Sequence, residues 1–185
     1  MIIGITGTDG AGKGTVVDYL VTEKGFTHYS SREFIVAEIE RQGLPVTRNQ
    51  MRLTANELRA LYGDEAVVKQ AYLRAQEEGK DKVVIESLRA LAEAVYLKKA
   101  GGVLLGVDAD VQLRFERVQK RRSASDQVSF EQFVAHEELE KNDPDPHGMQ
   151  KAKVMDIADH TIFNNGSREE LNVNIEEFLA KTEEK

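Results

Sequence analysis

Two hydrophobic patterns take turns along this chain. Short runs at 2–6, 27–29, 82–86, 102–107 and 159–163 are mostly rich in Val, Ile and Leu, without polar alternation. Between them lie longer stretches in which apolar residues recur every three or four positions. The first pattern marks strands covered on both faces, and the second marks helices with one buried side. Their alternation predicts an α/β fold with a five-stranded, mainly parallel sheet in a three-layer α/β/α arrangement.

Several helix starts carry Ser or Thr followed three residues later by Glu or Gln, the spacing of a capping box. Ser30 with Glu33, Thr47 with Gln50, Ser129 with Gln132 and Ser167 with Glu170 all have it. Buried helix faces are predicted at Leu171, Ile175 and Phe178, at Val111, Phe115 and Val118, and at Leu88, Leu91, Ala92 and Val95 after the third strand. Two segments exceed what a strand-to-strand connection needs. Residues 31–78 have room for two or three helices, and residues 119–148 form a polar excursion ending in Asp143-Pro144-Asp145-Pro146-His147. The whole of 1–185 reads as one domain carrying these two helical insertions.

The chemistry begins at the first strand. Ile2-Ile3-Gly4-Ile5 runs into Gly7-Thr8-Asp9-Gly10-Ala11-Gly12-Lys13-Gly14-Thr15 and then a helical pattern. This is the Gly-x4-Gly-Lys spacing of a phosphate-binding P-loop, in its strand–loop–helix context. Glycines let successive N–H groups turn inward around phosphate oxygens, the helix N-terminus adds its dipole, and Lys13 supplies a mobile point charge. Gly14 stands where most P-loops carry the Ser or Thr that holds magnesium, and Thr15 follows one position late. Beside such a loop, long insertions suit covers that exclude water, with 31–78 expected to bind an acceptor and 119–148 to act as a lid.

Composition narrows the field. With no cysteine in 185 residues, thiol catalysis, disulfides and Cys-ligated zinc are excluded. The four histidines, at 28, 136, 147 and 160, show no metal-ligand spacing and read as structural or solvated. A net charge of −7 argues against a general nucleic-acid or anionic-membrane surface. No apolar stretch approaches the roughly 20 residues that cross a bilayer. The short apolar start has no basic leader, so the expected setting is cytoplasmic.

Within that acidic total, arginines gather at 48–59, at 89 and at 114–122. Phosphoryl transfer needs positive charge around the moving group, which makes these clusters the candidates. Glu86-Ser87-Leu88-Arg89 follows an apolar strand, and strand C-termini of open parallel sheets face the ligand crevice. Glu86 is thereby a candidate magnesium or acceptor contact and Arg89 an acceptor contact. The competing reading has Glu86 capping the next helix and pairing with Arg89. Arg114, Arg117 and Arg121 share one helical stripe, either as a polyphosphate clamp with Arg117 and Arg121 catalytic, or as an ion-paired surface. Arg52, Asn56 and Arg59 share a helix face in the first insertion, and Arg32 follows the second strand; all four are candidate acceptor contacts. Asp9, Thr15 and Glu86 are the candidate metal contacts, partly through water.

These residues together resemble the P-loop nucleotide kinases, the group of adenylate kinase, thymidylate kinase and dephospho-CoA kinase. Gly12-Lys13-Gly14-Thr15 resembles adenylate kinase, where glycine likewise replaces the hydroxyl residue, and Asp9-Gly10 resembles the thymidylate kinase loop. Arg89 is similar in placement to the adenylate kinase arginine that grips the acceptor phosphate. The run Ala158-Asp159-His160-Thr161-Ile162-Phe163-Asn164-Asn165-Gly166 resembles the dephospho-CoA kinase ending, which implies that Asn165 and Gly166 lie beside the donor adenine. Two adenylate kinase patterns are absent: its Gly-Phe-Pro-Arg stretch reads Glu86-Ser87-Leu88-Arg89, and no Gly-Asp-x-x-Arg follows the second strand. The resemblance implies an enzyme that uses ATP and Mg2+ to phosphorylate a nucleotide-like small molecule, as a monomer or homodimer, without membrane or nucleic-acid partners. A nucleoside monophosphate is the first acceptor and dephospho-CoA the second. A P-loop ATPase or nucleotide switch without a small-molecule acceptor is the alternative of a different class.

Overall fold

The apolar run at the start of the chain becomes β1 (Ile2–Gly7), the central strand of a sheet ordered β2-β3-β1-β4-β5. The computed structural model describes residues 1–121 and 128–183. Arg122, the 122–127 part of the expected lid and the tail end at 184–185 lie outside the described residues. Around β1 stand β2 (Thr27–Ser30), β3 (Val83–Glu86), β4 (Val103–Asp108) and β5 (His160–Phe163). Every pairing is parallel, with Gly4 in register between Ile85 and Leu104. Five parallel strands therefore sit where the apolar runs predict them, each boundary within a residue of expectation.

Strand residues alternate between two apolar layers. Ile3, Ile5, Val84, Leu105, Val107 and Ile162 join Val16, Val17 and Leu20 of α1 (Lys13–Thr22) and Leu171, Ile175 and Phe178 of α9 (Arg168–Glu183). On the other face Val83, Ile85 and Leu104 join Val68 and Ala71 of α4 (Ala66–Glu77), Ala94 and Leu97 of α5 (Leu91–Lys99), and Val154 of α8 (Lys151–Asp156). Both faces being covered is why the strand sequences are apolar without alternation. The first insertion holds α2 (Ser31–Arg41), α3 (Arg48–Tyr62) and α4; since α4 packs on the sheet, α2 and α3 are the true excess. The second long segment contains α7 (Phe130–Lys141), which follows α6 (Val111–Lys120) and leads through the irregular stretch 142–150 to α8.

Three local expectations are corrected. Ser30 precedes α2 but makes no capping bond, because its hydroxyl lies 3.4 Å from Glu86. Helix α5 starts only at Leu91, so Leu88 packs from the preceding extended segment; Ala94 and Leu97 form the covered side and Val95 is exposed. On α6, Val111 is exposed and the buried positions are Arg114 and Val118. The other caps hold: Thr47 accepts from the Gln50 amide, and Ser129–Gln132 and Ser167–Glu170 bond reciprocally. No helix among the described residues is long and apolar enough to cross a membrane.

Candidate functional site

The C-terminal ends of the sheet strands and the start of α1 open into a cavity of about 910 Å³, bounded on one side by α2 and α3 and on the other by α6 and α7. This is where an open parallel sheet places its ligand crevice. The P-loop forms its floor. Gly12 caps α1 in the left-handed conformation at φ 100°, and a Cβ there would collide with the Asn164 amide. Asn164 Nδ2 donates to the Ala11 carbonyl at 2.8 Å, and Thr8 Oγ1 donates to Asp108 Oδ1 at 2.5 Å. Neighbouring strand ends thus brace the loop from behind. Gly10, Gly12, Lys13, Gly14 and Thr15 line the cavity, whereas Gly7, Thr8 and Ala11 are structural turns of the loop.

Lys13 Nζ folds back to donate to the Gly7 and Thr8 carbonyls, at 3.0 and 2.7 Å. Burial pushes its ammonium down to about 8, against the opposing pull of Asp9. Asp9 faces away from any free role. Lys151 stands 3.1 Å from one oxygen and Arg48 2.8 Å from the other, with Lys13 at 4.0 Å. Burial alone would raise Asp9, but Lys151, Lys13, Arg89 and Arg48 hold it well below the usual carboxylate range. Glu140 of α7 completes the cluster, taking Lys151 and Arg48 (2.7 Å). A carboxylate already held by these cations is poorly suited to a further dication. Among the described residues no group of His, Asp and Glu forms that would hold a metal on its own.

The Glu86-Ser87-Leu88-Arg89 segment enters the cavity as the strand-end rule requires. Ser87 adopts φ 68°, the one left-handed residue other than glycine among the described residues. Such strain is kept where the surroundings impose it, and it clusters at functional sites. Glu86 neither caps α5 nor pairs with Arg89. It faces His28 at 3.6 Å and Ser30 at 3.4 Å, and the His28 contact lowers its pKa. The helix is capped instead by Glu93 Oε2, which accepts from the Arg89 and Ala90 amides at 2.9 and 3.0 Å. The Arg89 guanidinium has no carboxylate within ion-pair distance among the described residues; its contact is the Met149 sulfur at 3.5 Å.

Arg52, Asn56 and Arg59 reach the cavity together, as their spacing predicts, but each is already engaged. Arg52 pairs with Asp143 (3.1 Å), Asn56 donates to Asp145 (2.9 Å), and buried Arg59 grips Glu93 Oε1 through two nitrogens at 3.0 and 2.9 Å. Arg32 lines the rim and is exposed. On the opposite wall the arginine stripe divides. Arg114 is buried, donating to the Ala109 and Asp9 carbonyls and pairing with Glu137 and Asp108, so it is part of the scaffold. Arg117 and Arg121 line the cavity.

Buried polar side-chain atoms without a partner are rare in folded proteins. Four occur among the described residues, and three of them, Ser31 Oγ, Arg117 Nη1 and His136 Nδ1, belong to residues lining this cavity. Asn165 and Gly166 do not line it. Asn165 accepts from the Asp110 amide, and the residue of that run that reaches the P-loop is Asn164. Sequence reasoning also missed Glu93, Asp108, Glu140 and Lys151, whose partners lie far away in the chain, and it gave His136 no part in a site.

The AAA domain family model matches residues 3–137. The chain is 31% identical over 185 residues to a UPF0200 protein of Staphylothermus marinus, covering all of this chain and 94% of that one. It is 32% identical over 170 residues to a UPF0200 protein of Thermococcus sibiricus, covering 89% and 86%. Among solved structures it resembles TT1252 from Thermus thermophilus, with TM-score 0.61, 23% identity and coverage of 98% and 97%. It also resembles a shikimate kinase from Acinetobacter baumannii in complex with shikimate, with TM-score 0.59, 21% identity and coverage of 100% and 95%. The sheet and its flanking helices are those of the P-loop kinase fold.

Proposed function

This chain belongs to the UPF0200 family and to the AAA domain family, and from its cavity we propose that it transfers the γ-phosphoryl group of ATP to a small anionic acceptor, a nucleoside monophosphate in the first place. One observation carries the proposal. Lys13 of the P-loop and Arg89, a guanidinium without a carboxylate partner among the described residues, line one cavity. A hydrolase needs no second anion receptor, whereas a phosphotransferase with a phosphorylated acceptor does. About 910 Å³ is ample for a donor nucleotide and a second small molecule.

In this reading the P-loop amides and Lys13 take the donor phosphates, Lys13 exchanging two main-chain carbonyls for phosphate oxygens. Arg89 holds the acceptor anion, with Ser31 and Arg32 on the same wall and Arg52 and Asn56 available if Asp143 and Asp145 give way. Arg117 and Arg121 neutralise charge on the transferred group from the opposite wall. Thr15 and Glu86 would help to hold a magnesium ion arriving with ATP, which would supply charge neutralisation, and Asp9 serves to hold the loop. A coupled ADP-release assay with ATP, magnesium and a panel of nucleoside monophosphates, dephospho-CoA and shikimate tests the proposal. Acceptor-dependent release supports it. Release at one rate with or without every acceptor overturns it in favour of an ATPase or switch.

A further inference from the structure

The polar face that α3 turns to the cavity is bound along its length by one later segment of the chain. Arg48 pairs with Glu140 at 2.7 Å and Arg52 with Asp143 at 3.1 Å. Asn56 donates to Asp145 at 2.9 Å, and Arg59 to the His147 carbonyl at 3.3 Å. Positions 48, 52, 56 and 59 follow the helical repeat, and their partners 140, 143, 145 and 147 run in the same chain order. The end of α7 and the stretch after it thus form a strap laid lengthwise on α3. The carboxylates that bind α3 also shape the strap. Asp143 Oδ1 accepts from the Asp145 amide at 3.0 Å and Asp145 Oδ1 from the His147 amide at 2.9 Å, which leaves each Oδ2 for α3. The Asp143 amide donates to the Met149 carbonyl at 2.9 Å, and a Cβ at Gly148 would lie 2.5 Å from that of Asp143. The Asp143 side chain is only 1% exposed, against 27% for Arg52, which stays on the cavity side.

We infer that Asp143 and Asp145 are specificity-determining residues: they fill the α3 face, so that an acceptor's anionic group is taken at Arg89 and a second one is turned away. This inference rests on the reading of the cavity as a phosphotransfer site with an anionic acceptor. An anion seated on Arg52 would meet a guanidinium already neutralised by Asp143. Evicting that carboxylate would break the amide bond that shapes the strap, and leaving it in place would crowd two anions on one cation. Arg89 carries no such occupant. It forms no ion pair among the described residues, and the strap fixes its segment through the Gln150 amide, which donates to the Arg89 carbonyl at 2.8 Å. The acceptor class that fits is a singly phosphorylated molecule, a nucleoside monophosphate over a nucleoside bisphosphate.

Calorimetry on the full chain, saturated with a non-hydrolysable ATP analogue and magnesium, tests this with AMP and adenosine 3′,5′-bisphosphate as probes. The wild-type chain is expected to prefer AMP. Asp143→Asn keeps the oxygen that shapes the strap and removes the charge that neutralises Arg52. It is expected to tighten the bisphosphate by about tenfold, the gain of one charge-assisted contact, and to leave AMP within about twofold. Adding Arg52→Gln to Asp143→Asn is expected to cancel that gain. An unchanged bisphosphate affinity in Asp143→Asn overturns the inference. So does an equal gain for both probes, which would make the strap a general lock on the cavity. Should Asp143→Asn fail to fold, the wild-type chain decides: a preference for AMP supports the inference and a preference for the bisphosphate overturns it. A wild-type chain that binds the ATP analogue but neither probe overturns the nucleotide-acceptor reading and this inference with it.

Discussion

Arg59 and Glu93 form a buried ion pair in which one carboxylate oxygen takes two guanidinium nitrogens at 2.9 and 3.0 Å. The other Glu93 oxygen holds the main-chain amides of Arg89 and Ala90. Glu93 thus ties α3 to the segment that carries Arg89 into the cavity, and Arg59 is a positioning residue. Arg59→Leu would strand a buried carboxylate, an error worth about 3–5 kcal/mol. Urea denaturation should show that loss, and Arg59→Lys should recover little of it, because a single ammonium lacks the guanidinium fork. A loss under about 1 kcal/mol for Arg59→Leu would contradict the structural role.

Arg89 itself should behave differently. Its guanidinium forms no ion pair among the described residues and acts on Asp9 and Glu140 only through longer-range attraction, so Arg89→Ala should cost less stability than Arg59→Leu while damaging use of the acceptor. Steady-state kinetics are expected to show kcat/KM for the acceptor down by about 100-fold, in the range of a lost charge-assisted contact, with KM for ATP within about twofold. Lys13→Ala should abolish turnover for any acceptor. Intact acceptor kinetics in Arg89→Ala would place the acceptor elsewhere in the cavity.

These two arginines show what a single sequence discloses and what it hides. The P-loop and the five strands are local signals, and each stands where its own few residues predict it. Arg52, Asn56 and Arg59 were legible as one face of a helix, but not as an engaged face, because Asp143, Asp145 and Glu93 lie 91, 89 and 34 positions away. The same distance hides Lys151 from Asp9, 142 residues apart. On α6 the apolar period was misleading, since Arg114 is buried by pairing with Glu137 and Asp108 while Val111 is left outside. At Ser30 a correct capping spacing failed because Glu86 offered its hydroxyl another partner. Periodicity reports burial only when charge pairing does not compete for the same position.

Two glycines of the P-loop invite opposite outcomes. A Cβ at Gly14 meets nothing within 4 Å, so Gly14→Ser should fold like the natural chain, with stability within about 0.5 kcal/mol. Its hydroxyl would occupy the position from which most P-loops hold magnesium, and half-maximal activity should require less of it. Gly12→Ala faces both the φ of 100° and the Asn164 side chain, so it should cost roughly 1–3 kcal/mol and break the brace from β5. Comparing denaturation midpoints of the two variants checks the first half, and a magnesium titration of Gly14→Ser checks the second. Equal stability of both variants would mean that the loop is free to rearrange.

The buried Lys13 ammonium makes the donor site a proton-linked one. Burial lowers it to about 8, whereas phosphate oxygens in place of the Gly7 and Thr8 carbonyls favour its charged form. Nucleotide binding near or above pH 8 must therefore take up a proton. Calorimetry at pH 8.5 in buffers of different ionisation enthalpy should find that uptake, shrinking toward zero at pH 6.5, where Lys13 is already charged. Affinity should be flat below about pH 7 and weaken by up to about tenfold per pH unit above 8, as the binding form is depleted. Folding stability carries the complementary sign. Because the folded-state value lies below the ordinary 10.5, the cost of burying the charge is present in full below about 8 and is relieved as pH rises from 8 through 10.5. Proton uptake that persists in Lys13→Met would assign the linkage to another group of the cluster around Asp9.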